Sequence, residues 1–281
     1  MNWGGVLLVI GATFCWSTGG LIVRLVEAPA LAIVFWRSIF LMLAVGGVLL
    51  IKYRPLGLWR FMLRNGKWGA VSGGLLACSF VGYVIALSET TVANTVLLMS
   101  ASPIIAALLA RWLLKEELSK GAFFAIILAM TGIATMLADG VSAGGWLGNF
   151  AALSVAFTFG ANIVVLRKEK RLDMVPATLL AGLFSALAMT PFAESLVISG
   201  RYLALLALMG SFQLGLGLFL FLRGVARLPA ATAGLLTLGE VILAPLWVWL
   251  FLNETPSPAT LVGGGILLLA LAISARFQSS S

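Results

Sequence analysis

The chain carries one apolar segment twice: residues 93–119 read ANTVLLMSASPIIAALLARWLLKEELS, and residues 231–257 read ATAGLLTLGEVILAPLWVWLFLNETPS. At an offset of 138 positions, Glu116 aligns with Glu254 and Ser119 with Ser257. The seven other identities are Ala93, Leu97, Leu98, Ile104, Ala106, Leu108 and Leu114 with their counterparts. Leucine and alanine matches are frequent in an apolar chain, but the glutamate and serine matches fall where an apolar run ends. The pattern predicts that the chain is a duplication.

The beginning of each half shows the same relationship. At an offset of 143 positions the matched residues are Trp3 with Trp146, Gly5 with Gly148, Phe14 with Phe157 and Arg24 with Arg167. The smaller offset further along fits a shorter loop in the second copy. We therefore expect two units, residues 1–139 and 140–281.

Composition indicates a membrane protein throughout. Apolar residues make up 61% of the 281 residues and charged residues 10%, whereas soluble domains are roughly half apolar and a quarter charged. A spanning helix needs about 20 mostly apolar residues. Ten such runs lie near 3–23, 30–51, 67–87, 92–114, 120–138, 145–166, 175–198, 202–222, 228–252 and 258–275. The expected fold is an all-α membrane protein of ten transmembrane helices, in two five-helix repeats.

An odd number of spans per copy has a topological consequence. The second copy must enter the membrane from the opposite side, so the two repeats are expected to be inverted, and inverted repeats are typical of transporters with a midplane site. With both termini in the cytoplasm, 15 of the 18 basic residues face the cytoplasm, as the positive-inside rule requires. The net charge of +8 then reflects topology and anionic lipid, and no nucleic-acid partner is expected.

Small residues spaced four apart predict close helix packing. They are Gly69, Gly73 and Ala77 on the third span, Gly121, Ala125 and Ala129 on the fifth, and Gly148, Ala152, Ala156 and Gly160 on the sixth. We expect these residues to contact neighbouring helices and not a substrate.

Four motifs, in this order and spacing, resemble the EamA family of the drug/metabolite transporter (DMT) superfamily over essentially the whole chain. They are Phe14-Cys15-Trp16-Ser17, Arg37, the segment from Pro103 to Leu114-Lys115-Glu116, and the segment from Gly239-Glu240 to Leu252-Asn253-Glu254. The resemblance implies a multi-pass secondary transporter of the cytoplasmic (inner) membrane, with a cavity lined by spans one, three, four, six, eight and nine. The stretch Trp16-Ser17-Thr18, with Arg24 further on, also resembles the YddG-type exporters of aromatic amino acids.

Two charged residues lie deep in predicted spans, Arg37 and Glu240. Ionisable groups at such depth are expensive and mark a function or a partner. They could pair with each other or bind backbone carbonyls, in a structural or coupling role. Alternatively, Glu240 carries a proton or binds a substrate amine, because a carboxyl group can exchange a proton and balance a cation.

Further candidates for substrate binding are polar or aromatic residues at mid-depth. Gln213 lies in the middle of the eighth span, and Ser79, Phe80 and Tyr83 share one face of the third. Trp16 and Phe159 occupy matching places in the two repeats and are too deep to be interfacial anchors. Apolar pockets with a few polar groups are typical of small-molecule sites, although bridging or packing between helices is the alternative for each residue.

Two prolines are expected to interrupt helices. Pro103 and Pro245 lie within a turn of corresponding places in the two repeats, and each removes one backbone hydrogen bond. Interrupted spans point towards a transporter site, so we expect gating there or a static kink.

Other classes of function are disfavoured. The chain has no histidine, and its two cysteines are isolated, so neither a nucleophile–base pair nor a metal site can be assembled. No enzyme activity, cofactor or metal is expected. Polar midplane residues argue against a purely structural subunit. The sequence thus predicts an exporter of amino acids, aromatic or otherwise neutral, or of related small metabolites, acting as a monomer by alternating access. Export of cationic drugs is the alternative.

Overall fold

A computed structural model describes residues 2–115, 120–142, 145–169, 173–191, 196–228 and 236–278. This part of the chain is helical and contains no strand, which confirms the all-α prediction where it can be compared. The helices are α1 (Trp3–Leu25), α2 (Ala30–Leu63), α3 (Gly66–Glu89), α4 (Val92–Met99), α5 (Ser102–Leu113), α6 (Lys120–Ser142), α7 (Trp146–Lys168), α8 (Met174–Met189), α9 (Gly200–Leu208), α10 (Gly217–Val225), α11 (Gly239–Leu252) and α12 (Pro258–Gln278).

Six helical segments are long and apolar enough to cross a membrane. They are Trp3–Leu25, Ala30–Ile51, Gly66–Glu89, Val92–Leu113, Trp146–Lys168 and Gly200–Val225. Four shorter apolar helices are Phe123–Leu137, Met174–Met189, Gly239–Leu252 and Pro258–Ile273. Each falls in one of the apolar runs predicted from hydropathy. Of the residues that align the two copies, Glu116, Ser119, Ala231 and Leu235 lie outside the described residues.

Two predicted helix ends are wrong. The seventh apolar run was expected to reach residue 198, but α8 ends at Met189 and a single 3₁₀ turn follows at 190–191. Pro191 lies in this turn, and it has no N–H to donate to the next α-helical hydrogen bond. In contrast, α2 continues to Leu63, beyond its apolar part. Gly66, with a φ of 53°, adopts the left-handed conformation that glycine favours and begins α3 after a short turn.

Three spans depart from a continuous α-helix. The fourth is divided between α4 and α5, and Pro103 lies in the first turn of α5, where a missing N–H costs little. The eighth contains a π-helical segment, Met209–Leu216, between α9 and α10. The ninth begins anew at Gly239, after a turn at Leu238.

Helix α11 runs through Pro245 to Leu252, so the helix does not end there, and the predicted kink or gating role at Pro245 stays a prediction. Ala244 and Val248 are each 1% exposed. The proline removes one backbone hydrogen bond, and packing around these two buried residues stabilises the helix at this point.

Small residues bring the helices into backbone contact, as predicted. A Cβ atom on Gly160 of α7 would lie 2.9 Å from the carbonyl oxygen of Ser102 in α5, and one on Gly148 would lie 2.7 Å from Thr90. Another tight crossing joins α6 to α12, where a Cβ on Gly132 would lie 2.6 Å from the Gly263 carbonyl oxygen. Without these glycines the backbones could not approach so closely.

The helices of the first half pack mainly on those of the second. Helix α1 contacts α10 and α11, α2 contacts α8 and the π segment, and α3 contacts α7 and α8. Helices α4 and α5 contact α7, α4 also contacts α11, and α6 pairs with α12. The largest apolar core cluster includes Ile33, Val34, Val84, Leu87 and Val92. This core lies beside a central space between the two halves.

Candidate functional site

A cavity of about 430 Å³ lies between the two halves of the chain. Nine of the predicted site residues line it: Trp16, Arg37, Ser79, Phe80, Tyr83, Pro103, Phe159, Gln213 and Glu240. Pro245 does not. Residues of α1 to α5, α7, α8, the π segment, α10 and α11 form the wall. The wall therefore also includes the second span, through Arg37, and the seventh, through Met174 and Thr178.

Arg37 is the cationic group of this cavity. Its side chain is 1% exposed, and its Nη2 donates to the backbone carbonyl of Phe80 at 3.3 Å. The guanidinium carbon lies 5.0 Å from the centre of the Phe80 ring and 5.6 Å from that of Tyr83. Its Nε is buried without a hydrogen-bond partner among the described residues. One of the predicted structural roles, contact with a backbone carbonyl, is thus observed, while the Nε donor remains without a partner among the described residues.

Glu240 is the anionic group of the cavity, and it lies in the first turn of α11. A carboxylate there faces the positive end of the helix dipole. The ion pair found within the described part of the chain joins Arg24 to Glu254, so Arg37 and Glu240 are more than 4.0 Å apart and do not form a salt bridge. Tyr83 lines the same cavity as both of them. The two charges therefore share one cavity without neutralising each other directly.

The π segment places Gln213 at the cavity. The side chain is 3% exposed, and its Nε2 donates to the carbonyl of Trp16 at 3.3 Å, while its Oε1 has no partner within the described ranges. A Cβ on Gly210 would lie 2.5 Å from the Arg37 carbonyl oxygen. This contact presses the π segment against α2. π-helical turns are rare and occur frequently at functional sites.

Aromatic side chains form the apolar part of the wall. The rings of Trp16 and Phe221 lie with their centres 5.1 Å apart, a favourable distance for an aromatic pair. Gly217 leaves room for the indole, because a Cβ there would lie 2.4 Å from the Trp16 Nε1. Phe159 lines the same cavity from α7. The wall is therefore apolar on the side of these rings and charged near Arg37 and Glu240.

Ser79 lies at the cavity but already has hydrogen-bond partners. Its hydroxyl lies 2.7 Å from Thr158 Oγ1 and donates to the Leu75 carbonyl at 3.0 Å. Further along the same interface, Ser72 donates to Asn162 at 2.6 Å. These bonds join α3 to α7, the bridging role that is the alternative to substrate binding.

Polar contacts close the bundle at the end where α1 and α3 finish. Glu254 Oε2 accepts from Arg24 Nε at 2.8 Å, and its Oε1 accepts from the backbone N–H of Val92 at 2.7 Å. Arg24 Nη2 also donates to the Thr90 carbonyl at 2.7 Å. Asn94 and Asn149 are hydrogen-bonded to each other beside Thr90.

The cavity extends towards the opposite end of the bundle. There it is lined by Ile163 near the end of α7 and by Met174 at the start of α8. Asn65 exchanges two hydrogen bonds with the backbone of Asp173, at 2.6 and 3.0 Å. These bonds tie the start of α3 to the start of α8.

Comparison with known proteins identifies the fold and the family. The model of the EamA-like transporter family matches residues 3–138 and 146–276. The chain belongs to this family. Among its relatives is the uncharacterized transporter YwfM of Bacillus subtilis, 27% identical over 95% of this chain and 92% of that protein. The pseudopaline exporter CntI of Pseudomonas aeruginosa is 25% identical over 95% and 94%.

A solved structure described only as a crystal structure of a protein covers 99% of both chains with a TM-score of 0.67 and 20% identity. That likeness concerns the fold alone. Membership of the EamA family makes the chain a multi-pass protein of the bacterial inner membrane and a transporter of small molecules, which confirms the predicted family and localisation. Members of the family are transporters and not enzymes. Among the described residues no three His, Cys, Asp or Glu side chains come together to hold a metal ion.

Several cavity residues of this EamA protein were missed in the sequence. They are Ser100, Ser102, Thr178, Thr237, Leu218 and Phe221. Ser102 and Glu240 align at the offset of 138, and each lies in the first turn of a helix that begins anew at the cavity, α5 or α11. The repeat alignment could therefore have pointed to Ser102.

Proposed function

We propose that this protein is a secondary transporter that exports neutral amino acids, aromatic ones included, or related small metabolites by alternating access. The observation that carries the proposal is the cavity itself. It lies between the two halves, combines aromatic walls with two opposite charges, and is bordered by hydrogen-bonded closure at one end of the bundle. A cavity of about 430 Å³ is within the range of sites for small molecules.

We also propose that the ten apolar helices form two inverted repeats of five, with units at residues 1–139 and 140–281. The contacts between the halves support this arrangement, because they map onto one another when the repeats are exchanged. The contact of α1 with α10 corresponds to that of α7 with α3, and the contact of α1 with α11 corresponds to that of α7 with α4. The contacts α2–α8, α4–α11 and α6–α12 each correspond to themselves. Such reciprocity is what a pseudo-two-fold axis between the halves would produce.

The direction in which the cavity faces follows from the proposed orientation. With both termini in the cytoplasm, basic residues concentrate at the end where α7 finishes and α8 begins, and this is the end towards which the cavity extends. The Arg24–Glu254 pair then closes the periplasmic side. We propose that the described conformation is the cytoplasm-facing one, from which an exporter would take up its substrate.

Glu240 supports the choice of an amine-bearing substrate. A lone carboxylate in an apolar cavity is balanced best by a cation, and the ammonium of an amino acid would supply one. Trp16, Phe159 and Phe221 supply apolar surface for a side chain. A relative whose name gives it as a pseudopaline exporter supports outward transport of small metabolites.

The test is transport by the purified full chain in liposomes. Vesicles loaded with a panel of labelled neutral amino acids should release one or more of them faster than protein-free vesicles. Absence of flux for every amino acid would overturn the amino-acid assignment. Because Glu240 would equally balance a cationic drug, lipophilic amines belong in the same panel. Flux of those amines without flux of amino acids would favour the second candidate.

A further inference from the structure

The two charges in the cavity are both left without an ionic partner among the residues that the structure describes. Arg37 is surrounded by the Phe80 carbonyl and by the rings of Phe80 and Tyr83, none of which carries a negative charge. Glu240 has no hydrogen-bond or ion-pair partner within the described ranges. A guanidinium stays charged in proteins. An uncompensated cation at this depth is costly.

This arrangement discriminates among ligands by their charges. A ligand that carries only an amine would balance Glu240 and bring its positive charge into the cavity of Arg37. A ligand that carries only a carboxylate would balance Arg37 and meet the charge of Glu240. A ligand with both groups balances both side chains, and discrimination of this kind depends on repulsion of the wrong ligands as much as on attraction of the right one.

Arg37 also has the donors that a carboxylate requires. Its Nε has no partner among the described residues, and its hydrogen bond to Phe80 is long, at 3.3 Å. Charge-assisted bonds from arginine to a carboxylate are shorter and stronger than such a contact. A carboxylate at this position would therefore satisfy a donor that the protein leaves unsatisfied.

Resting on the proposed function, we infer that the substrate is a small zwitterion whose carboxylate binds Arg37 and whose ammonium binds Glu240. Arg37 is then a specificity-determining residue that separates zwitterions from simple amines. Tyr83 lines the same cavity, with its ring centre 5.6 Å from the Arg37 guanidinium carbon.

The test compares matched ligands by their stabilisation of the purified full chain, since a ligand that binds the folded state raises its apparent stability. The first set is phenylalanine, phenethylamine and 3-phenylpropionate. The second is leucine, 3-methylbutylamine and 4-methylpentanoate. In at least one set the zwitterion should bind about tenfold or more tightly than both analogues, the loss expected when one charge-assisted contact is removed.

Variants locate the effect. Arg37→Gln should lower the affinity for the zwitterion about tenfold or more while leaving the affinity for the amine at its wild-type value or above. Arg37→Lys, which keeps the charge, should retain part of the discrimination. Arg223→Gln is the matched control, because Arg223 is exposed on α10 and lies against Phe219 outside the cavity. This variant should behave as the wild type.

Two results would overturn the inference. In the wild type, amines that bind as tightly as their zwitterions would exclude a carboxylate site, and this comparison needs no variant to fold. If Arg37→Gln lowered the affinity for the zwitterion and for the amine equally, Arg37 would have a structural role instead. If amino acids were transported but binding did not depend on their carboxylate, the zwitterion assignment would be wrong and the proposed function would stand. If neither ligand set binds and no amino acid is transported, the proposed function fails with it.

Discussion

Arg24 and Glu254 form an ion pair, with 2.8 Å between Nε and Oε2, that joins the end of α1 to the segment following α11. Glu254 also accepts from the backbone of Val92 at the start of α4. Three helices, two of the first half and one of the second, therefore meet at one carboxylate. The side chains are 25% and 19% exposed, so the pair is partly shielded from water.

Loss of the Arg24–Glu254 pair should increase the fraction of molecules that are open at the end where α1 and α3 finish. Glu254→Gln removes the charge that Arg24 balances, and a partly exposed pair is worth about 1 kcal/mol or less, which corresponds to an increase of up to about fivefold in the open population. The measurement is the rate at which an impermeant maleimide added from the periplasmic side labels Thr237→Cys, in a background with Cys15 and Cys78 replaced. The charge exchange of Arg24→Glu with Glu254→Arg should restore slow labelling, and an unchanged rate in the single variant would contradict the closure role.

Glu240→Gln should slow transport of a zwitterion, because it removes the carboxylate proposed to bind the ammonium, and the flux that remains should not depend on a pH gradient. Glutamine keeps the size of the side chain but cannot bind or release a proton. The measurement is flux in liposomes with and without a pH difference, normalised to protein incorporated. Glu27→Gln is a suitable control, because Glu27 lies outside the cavity and bonds Tyr202. Gradient dependence that persists in Glu240→Gln would remove proton coupling from this residue.

Gly19→Ala should impair transport without preventing insertion. A Cβ there would lie 2.4 Å from the Tyr83 hydroxyl and 3.0 Å from Gln213 Nε2, so two cavity side chains must move. We expect transport to fall about tenfold, in line with the roughly 1–3 kcal/mol that overpacking costs. Gly74→Ala is the matched control, since a Cβ at Gly74 meets nothing within 4 Å. Equal flux in the two variants would show that the wall near Tyr83 tolerates displacement.

Gly132→Val should destabilise the fold itself. The added side chain would enter the crossing of α6 and α12, where the Gly263 carbonyl oxygen is 2.6 Å from the Cβ position. A loss of about 1–3 kcal/mol or more is expected, seen as a lower Tm of the purified protein. Gly265→Val on α12 faces open space and should change the Tm little. If both variants had the same Tm, the crossing of α6 and α12 would not be a point of close packing.

Hydropathy predicted where the helices lie, because every span must be about 20 apolar residues long regardless of its neighbours. It could not predict where a span stops being an α-helix. Pro103 lies at the division of the fourth span, whereas α11 continues through Pro245, next to the buried Ala244 and Val248. At Gly239, where α11 begins, the sequence offers only a glycine to indicate that a new helix starts. Tertiary packing, which the local sequence does not contain, decides between these outcomes.

Deep charged and amide residues were good guides to the cavity, because such groups are costly in lipid and must face a partner or a space. Arg37, Gln213 and Glu240 all line it. Serines were poor guides, since a serine can satisfy its hydroxyl within its own helix, as Ser100 does with the Leu97 carbonyl at 2.6 Å. Ser100 and Ser102 therefore gave little warning of their position.

The π segment in the eighth span changes how mutations in this helix should be interpreted. A wide turn holds one residue more than an α-turn, so the residues after it are rotated by about 100° relative to a continuous α-helix. Leu218 and Phe221 reach the cavity from beyond that extra residue. Deleting one residue within Met209–Leu216 would therefore turn a different set of side chains inward without any substitution in the lining residues that follow. The number of residues in this segment therefore sets which side chains of the eighth span face the cavity.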